Sequence, residues 1–413
     1  MNIKRIEVAN FKSFEELNVD LNDFNILIGA NASGKSNFVQ IFQFIKNISN
    51  FGLDNAVSMH GGVEYLRNIN IGPSKDLSIK VFFDKEFKLP LPVKNELIEI
   101  KTYDIYYGFA LKFEKGDKFK ITKENLTLKY KLIKLNKQMK KIKAKEIYDE
   151  GEIALSRVNG IIKIKAKDEI KKLFPFLSEN FLTNILAPET LLLRSPFFLF
   201  LVPIINIFQS IKIYYFDPKL AKKAALITGK TELEEDGANL SIILKNILEN
   251  KKKKRKFFNL VKELLPFINN LDVEKFMDLS LLFKSQEIYS KNQYLPASSI
   301  SDGTINIIAL IIALYFEEKP LTIIEEPEKN IHPYLISKVV NMMKEASQNK
   351  QILVTTHNPE IVKYTDLDNI LLVSRNENGF TTISRPVDKK EVKIFLKNNI
   401  GIEELYIQNL LGI

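Results

Sequence analysis

With 413 residues and 45% hydrophobic side chains, the chain can bury a large core, which reads as one main domain carrying an insertion. It contains no cysteine, which excludes a disulfide framework and any cysteine-ligated zinc or iron–sulfur site. A formal net charge of +10 favours a polyanionic partner, although only seven of the 60 basic residues are arginine, a skew that AT-rich codon usage also produces.

The opening Met1 to Glu7 is not a secretory signal. Phe24 to Ile28 reads as a short buried strand, and Phe38, Ile41, Phe42, Ile45 and Ile48 then recur at helical spacing. Between them lies Gly29-Ala30-Asn31-Ala32-Ser33-Gly34-Lys35-Ser36, which fits GxxxxGK[ST]. In that pattern glycine-permitted turns aim N–H groups at phosphate oxygens, the lysine reaches the outer phosphates and the serine hydroxyl ligates magnesium. The helix that starts here, with Asn37 in its first turn, presents its positive dipole end to the same anion.

Further on, Leu77 to Phe83, Ile98 to Tyr103 and Tyr106 to Phe113 alternate as antiparallel strands do. Residues 130 to 275 read as mixed, becoming mainly helical after Pro218, and so as a compact lid. The uncharged stretch Ser195 to Ile211 is shorter than a membrane span of about 20 residues and holds Pro196 and Pro203, so it is expected to be buried in protein. Within the lid, Lys251 to Lys256 is an unbroken basic run suited to phosphate contact, though a solvated helix face would look the same. The looser cluster Lys137, Lys140, Lys141, Lys143 and Lys145 is a weaker candidate. Neither interleaves with aromatic residues as single-strand stacking requires.

Near the carboxy end, Leu321 to Ile324 forms a buried strand that runs into Glu325 and Glu326. Strand alternation would send the two acids in opposite directions. Glu325 is then expected in the magnesium shell and Glu326 as the base facing the attacking water.

Three segments complete the picture: Ile300 to Thr304 (ISDGT), Glu325 to Pro333 (EEPEKNIHP) and Thr355 to Glu360 (TTHNPE). On these the chain resembles the ABC-type ATPases of the SMC, RecF and OLD group, within the RecF-like branch. The resemblance implies an α/β P-loop NTPase fold with a flanking antiparallel sheet, ATP and Mg2+ as ligands, and sites completed only when two copies meet. Ser301 and Gly303 would belong to the signature motif offered to the partner's ATP. His357 would be the switch histidine, and His332 would end the D-loop that crosses the dimer seam. Ile6 to Phe14 is similar to the NFKSF-like opening of such proteins, which adds Lys12 and Ser13 as ATP contacts. Ile213 to Pro218, Glu235 to Leu240 and the ending Ile400 to Tyr406 are further landmarks. His60, with no motif around it, is expected to be an ordinary residue.

The chain departs from the group at Glu325, where aspartate is commoner, and at Asp302 and Thr304, where transporter signatures have Gly and Gln. Gln40 and Gln43 come too early for the Q-loop glutamine, which is not identified. The 265 positions from Ser36 to Ser301 exceed a transporter insertion and fall well short of an SMC coiled coil. No heptad pattern fills them. No carboxy-terminal TOPRIM nuclease is expected in the short stretch after His357.

The expected organisation is a first half of the head at 1–129, a lid at 130–275 and a second half of the head at 276–413. The expected function is an ATP-hydrolysing cytoplasmic switch in DNA maintenance or phage defence. It would work as an ATP-dependent homodimer or higher oligomer on double-stranded DNA, with a separate nuclease or effector and no membrane. The alternative is an ATP-gated protein scaffold or sensor that never touches DNA.

Overall fold

The computed structural model describes residues 2–388 and 402–408, apart from 85, 94–95, 115–117, 139–140, 175–176, 195–200, 228, 278 and 291–292. Lys140, the side chains of Lys137, Lys141, Lys143 and Lys145, the start of the apolar stretch at 195–200 and residues 400–401 of the ending lie outside what is described. Contacts divide the chain into two compact units, one of residues 1–22, 36–210 and 375–383, the other of residues 23–35, 211–374 and 384–413.

The first unit is built on an eight-stranded antiparallel sheet. In spatial order its strands are Phe14–Asp20, Ile3–Phe11, Leu77–Phe83, Glu96–Phe113, Phe119–Gln138, Lys141–Val158 and Ile161–Lys165, with Phe87–Val93 added alongside Glu96–Phe113. The expected strands are here, and alternation sets their faces: Leu77, Ile79, Val81 and Phe83 are buried while the residues between them are half-buried. The helix Lys35–Phe51 lays Phe38, Ile41, Phe42, Phe44, Ile45 and Ile48 into the interior. Phe44 meets Phe11 with ring centroids 6.0 Å apart, and Phe38 meets Phe14 at 6.5 Å. Each buried ring contributes about 1.5–3 kcal/mol.

In the second unit lie Lys212–Tyr214, Leu321–Glu325, Gln351–Thr356, Phe24–Ile28 and Ile370–Arg375, in that order the first five strands of a six-stranded sheet. The first five strands pair in parallel. Such strands are covered on both faces, which is why Phe24–Ile28 and Gln351–Thr356 are buried at every position. The helix Asp302–Tyr315 is buried at every residue from Thr304 to Leu314, as its all-round apolar sequence requires. A smaller antiparallel sheet joins Ala225–Leu226, Ser280–Glu287, Ile268–Phe276 and Leu295–Pro296.

The proposed three-part division is redrawn by these contacts. Residue 130 lies inside the strand Phe119–Gln138 and residue 275 inside Ile268–Phe276, so neither is a boundary. Around 130 the strand reads Leu126-Thr-Leu-Lys-Tyr-Lys-Leu132, and its apolar half, Leu126, Leu128, Tyr130 and Leu132, is buried. The lysines between them hide this alternation in a generally basic sequence. After Pro218 the helices Leu240–Glu249 and Lys251–Leu264 form as expected, but the strands from 268 to 287 interrupt the helical region.

Candidate nucleotide site

The phosphate loop, Glu325, Glu326 and His357 follow the carboxyl ends of the parallel strands, where ligands bind in open α/β sheets. Register aligns these ends: Glu325 pairs with Thr355, and Thr355 and Thr356 pair with Leu27 and Ile28. Three neighbouring strands therefore deliver Glu325, His357 and the loop from Gly29 to one edge.

The loop itself is shaped for an anion. Ala32 (φ 63°) and Gly34 (φ 116°) take the left-handed backbone from which anion-binding nests are built, and Ser33 N closes the turn onto the Ala30 carbonyl at 3.2 Å. A Cβ at Gly29 would run into the Val373 carbonyl oxygen and the Ser33 hydroxyl, so only glycine fits there. Asn31, Ala32 and Ser36 are exposed, while Ser33 is buried. Lys35 Nζ is folded onto the Gly29 and Ala30 carbonyls at 2.7 and 3.0 Å. Burial lowers its pKa, against the raising pull of Glu326 and Glu328. An ammonium resting on two neutral carbonyls, a left-handed nest and a helix with no acid in its first turn all suit a triphosphate. The chemistry of Ser36 and Glu325, a hydroxyl and a carboxylate, suits magnesium.

Glu325 and Glu326 do not lie on one continuous strand, so strand alternation does not set their directions. The strand ends at Glu325, and Glu326 sits beyond it at φ 46°, its N–H still reaching the Thr355 carbonyl at 2.8 Å. Pro327, lacking an N–H, ends the ladder. The turn places Glu326 Oε1 2.9 Å from His357 Nδ1. His357 is exposed, and its carbonyl takes a bond from Tyr406 Oη at 3.4 Å. Tyr406 belongs to the helix Ile402–Ile407, whose Leu405 packs with Ile28, Val362 and Leu372. The described part of the ending thus docks beside the site, a role the sequence alone did not assign.

Ser301 is the exposed N-cap of the helix Asp302–Tyr315, its Oγ accepting from Thr304 N at 3.1 Å. Gly303 is required by a close approach that sequence reasoning missed, since a Cβ there would strike the Asn330 carbonyl oxygen. Asn306 Nδ2 donates to the Lys329 carbonyl at 2.6 Å, so the signature helix rests on the D-loop of its own chain. His332 caps the helix Pro333–Ala346, Nδ1 accepting from Tyr334 N at 3.2 Å.

In the first unit, Ser13 is buried and its hydroxyl receives Asn37 Nδ2 at 2.8 Å and Thr381 Oγ1 at 2.8 Å. It is therefore engaged inside the protein, where it braces the helix that follows the phosphate loop. Lys12, at φ 47°, sends Nζ to the Tyr65 carbonyl at 3.2 Å, and burial lowers its pKa. His60 is buried edge-on against Phe44 at 5.3 Å, as an ordinary interior residue would be. Burial first, and the Lys12 charge second, push its pKa down to about 4.

A family model described as "AAA domain, putative AbiEii toxin, Type IV TA system" matches residues 24–363. Endonuclease GajA of Bacillus cereus (strain VD045) is 23% identical over 395 residues, 91% of this chain and 59% of GajA. The chain thus spans about three-fifths of the length of that relative. Among solved structures, an SMC head bound to the C-winged helix domain of ScpA aligns over 93% of this chain and 97% of its own, at 16% identity and a TM-score of 0.47. The SMC head domain from Thermotoga maritima aligns over 93% of this chain and 99% of its own, at 14% identity and a TM-score of 0.42.

Proposed function

The chain belongs to the AAA-domain family of putative AbiEii toxins of type IV toxin–antitoxin systems, as a P-loop ATPase of the RecF, OLD and SMC kind, and on that footing we propose that it hydrolyses ATP between two copies of itself and serves as a switch. The observation that carries this reading is the Glu326–His357 pair, held 2.9 Å apart just past the ends of two paired strands, of which the one leading to His357 also pairs with the phosphate-loop strand.

In this mechanism Lys35 exchanges the Gly29 and Ala30 carbonyls for the outer phosphates, while the N–H groups of Asn31 to Lys35 wrap the inner ones. Ser36 and Glu325 would hold magnesium, which would supply charge neutralisation at the phosphates. Glu326 takes the proton of the attacking water, and His357 fixes the orientation of its carboxylate. The second copy contributes Ser301 and the Gly303 N–H. A hydroxyl has one donor and two acceptor sites, so Ser301 can keep Thr304 N as its cap while donating to the γ-phosphate. Loss of that phosphate releases the second copy.

The partner read by this switch is double-stranded DNA, in maintenance or phage defence. Support comes from the helix Lys251–Leu264. All six residues from Lys251 to Lys256 are exposed, and its first turn contains no acid. Cations at a helix N-terminus oppose the dipole by about 0.3–1 kcal/mol each, an arrangement that a phosphate backbone relieves. No helix among the described residues is long and apolar enough to cross a membrane.

The test is Glu326→Gln. It is expected to retain ATP binding, to lower turnover by about 100-fold or more, and to accumulate a dimer on sizing with ATP. Normal turnover would remove Glu326 from the base position, and an ATP-independent monomer would remove the composite site. Equal wild-type turnover with and without duplex DNA would favour a protein scaffold instead.

A further inference from the structure

Glu328 lies on the turn after Glu326 and was given no part above, yet it is 7% exposed and packed against the strand that delivers His357. Its Oε1 accepts the hydroxyl of Thr356. That same hydroxyl oxygen accepts Asn358 N at 2.9 Å, so one side chain fixes the backbone on both flanks of His357. On the other side, the turn that carries Glu326 is wound by Lys329 N to the Glu326 carbonyl at 3.0 Å and Ile331 N to the Glu328 carbonyl at 2.9 Å. Two of its residues, Glu326 (φ 46°) and Asn330 (φ 63°), hold left-handed backbone, which non-glycine residues keep only where surrounding bonds impose it. Glu328 links the two turns side chain to side chain.

The arrangement is unfavourable as plain architecture. Burial raises the pKa of the Glu328 carboxyl, and its Oε2 is buried without a hydrogen-bond partner among the described residues. A half-satisfied buried acid weakens folding. It is retained at the one place where the base and the histidine must keep a fixed separation.

We propose that Glu328 is a positioning residue for ATP hydrolysis: by accepting the Thr356 hydroxyl it locks the turn bearing Glu326 to the turn bearing His357, and so holds the pair aimed at the attacking water. This rests on Glu326 and His357 serving as read above, and it goes beyond that reading by adding the clamp that aligns them.

The experiment measures kcat, ATP dissociation constant and thermal midpoint for Glu328→Ala, Glu328→Gln, Thr356→Val, Thr356→Ser and the Glu328→Ala/Thr356→Val double variant, beside Glu326→Gln. Glu328→Ala and Thr356→Val are each expected to lower kcat about tenfold or more while ATP affinity holds. Glu328→Gln and Thr356→Ser, which keep acceptor and donor, recover most of the rate. The double variant should be no slower than its slower parent, because the Glu328–Thr356 bond is lost in both single changes, Thr356→Val removing the acceptor of Asn358 N besides. If Glu328→Ala does not fold, Thr356→Val, which preserves volume, carries the same expectation. Near-normal kcat in the two deletion variants, multiplied losses in the double, or losses in ATP affinity and melting that match those in kcat would overturn the proposal. Turnover abolished by Glu326→Gln but untouched at Glu328 and Thr356 overturns it alone, whereas a wild-type chain without turnover overturns the ATPase reading with it.

Discussion

Each of the two units contains a buried glutamate, and the pair shows that burial does not by itself mark a functional acid. Glu124, fully buried in the antiparallel sheet, accepts Tyr107 Oη at 2.6 Å and Leu192 N at 2.7 Å and faces Arg157 at 3.7 Å. Burial pushes its pKa up to about 7, against these donors. Arg157 in turn binds the carbonyls of Thr190, Ala187 and Pro188, so the cluster fastens the segment 187–192 onto its sheet. No exposed reactive group adjoins it among the described residues. Glu328, at the end of a parallel strand, has fewer bonds and touches the elements that carry Glu326 and His357. Neighbours, rather than depth, separate a fastening from a working part.

The largest effect that would sharpen this contrast is at Glu124→Ala. It should lower unfolding free energy by about 3–5 kcal/mol, since Arg157 is left buried without its partner. Turnover per folded molecule should not change, and denaturant melts beside ATPase assays would check both; a specific loss of kcat would break the distinction. Gly303→Ala comes next. Its methyl group would displace the Asn330 carbonyl, costing about 1–3 kcal/mol and moving the signature helix against the D-loop. Here ATP-dependent pairing should weaken before ATP binding does, as sizing with nucleotide would reveal.

The smallest effect concerns His60, in the same unit as Glu124. Its pKa is depressed from 6.5 to about 4, so the unfolded chain takes up a proton that the folded one refuses. Stability contributed by neutral His60 is whole above about 6.5 and is lost as pH falls toward about 4. His60→Phe should flatten that part of the melting-temperature profile without altering its neutral end.

Much of the nucleotide edge was legible because its chemistry is local. Gly29 to Ser36 is contiguous, the strand before it is uniformly apolar, and Glu325, Glu326 and His357 each close an apolar run. What escaped was what the tertiary structure brings together. Nothing near Gly303 announces that the Asn330 carbonyl lies against it, and nothing near Thr356 announces Glu328, 28 positions earlier. The inward bonding of Ser13 depends on Thr381, 368 positions away. The left-handed turn at Glu326, which ends strand alternation after Glu325, lies in backbone that no periodicity encodes. The boundaries at 130 and 275 failed for a related reason: alternation survives in the strand around Tyr130, but abundant lysine on its outer face masks the contrast that would identify it.

The strand Phe87–Val93 borders Glu96–Phe113 on one side, and Pro90 and Pro92 stand two apart along it, opposite Glu99 and Leu97. Neither proline has a backbone hydrogen to offer, and residues two apart aim their amides the same way. A second molecule approaching that rim would find no donors at these positions, so ribbon-like stacking of copies is discouraged there. Indiscriminate growth of a ribbon from this strand is thereby discouraged.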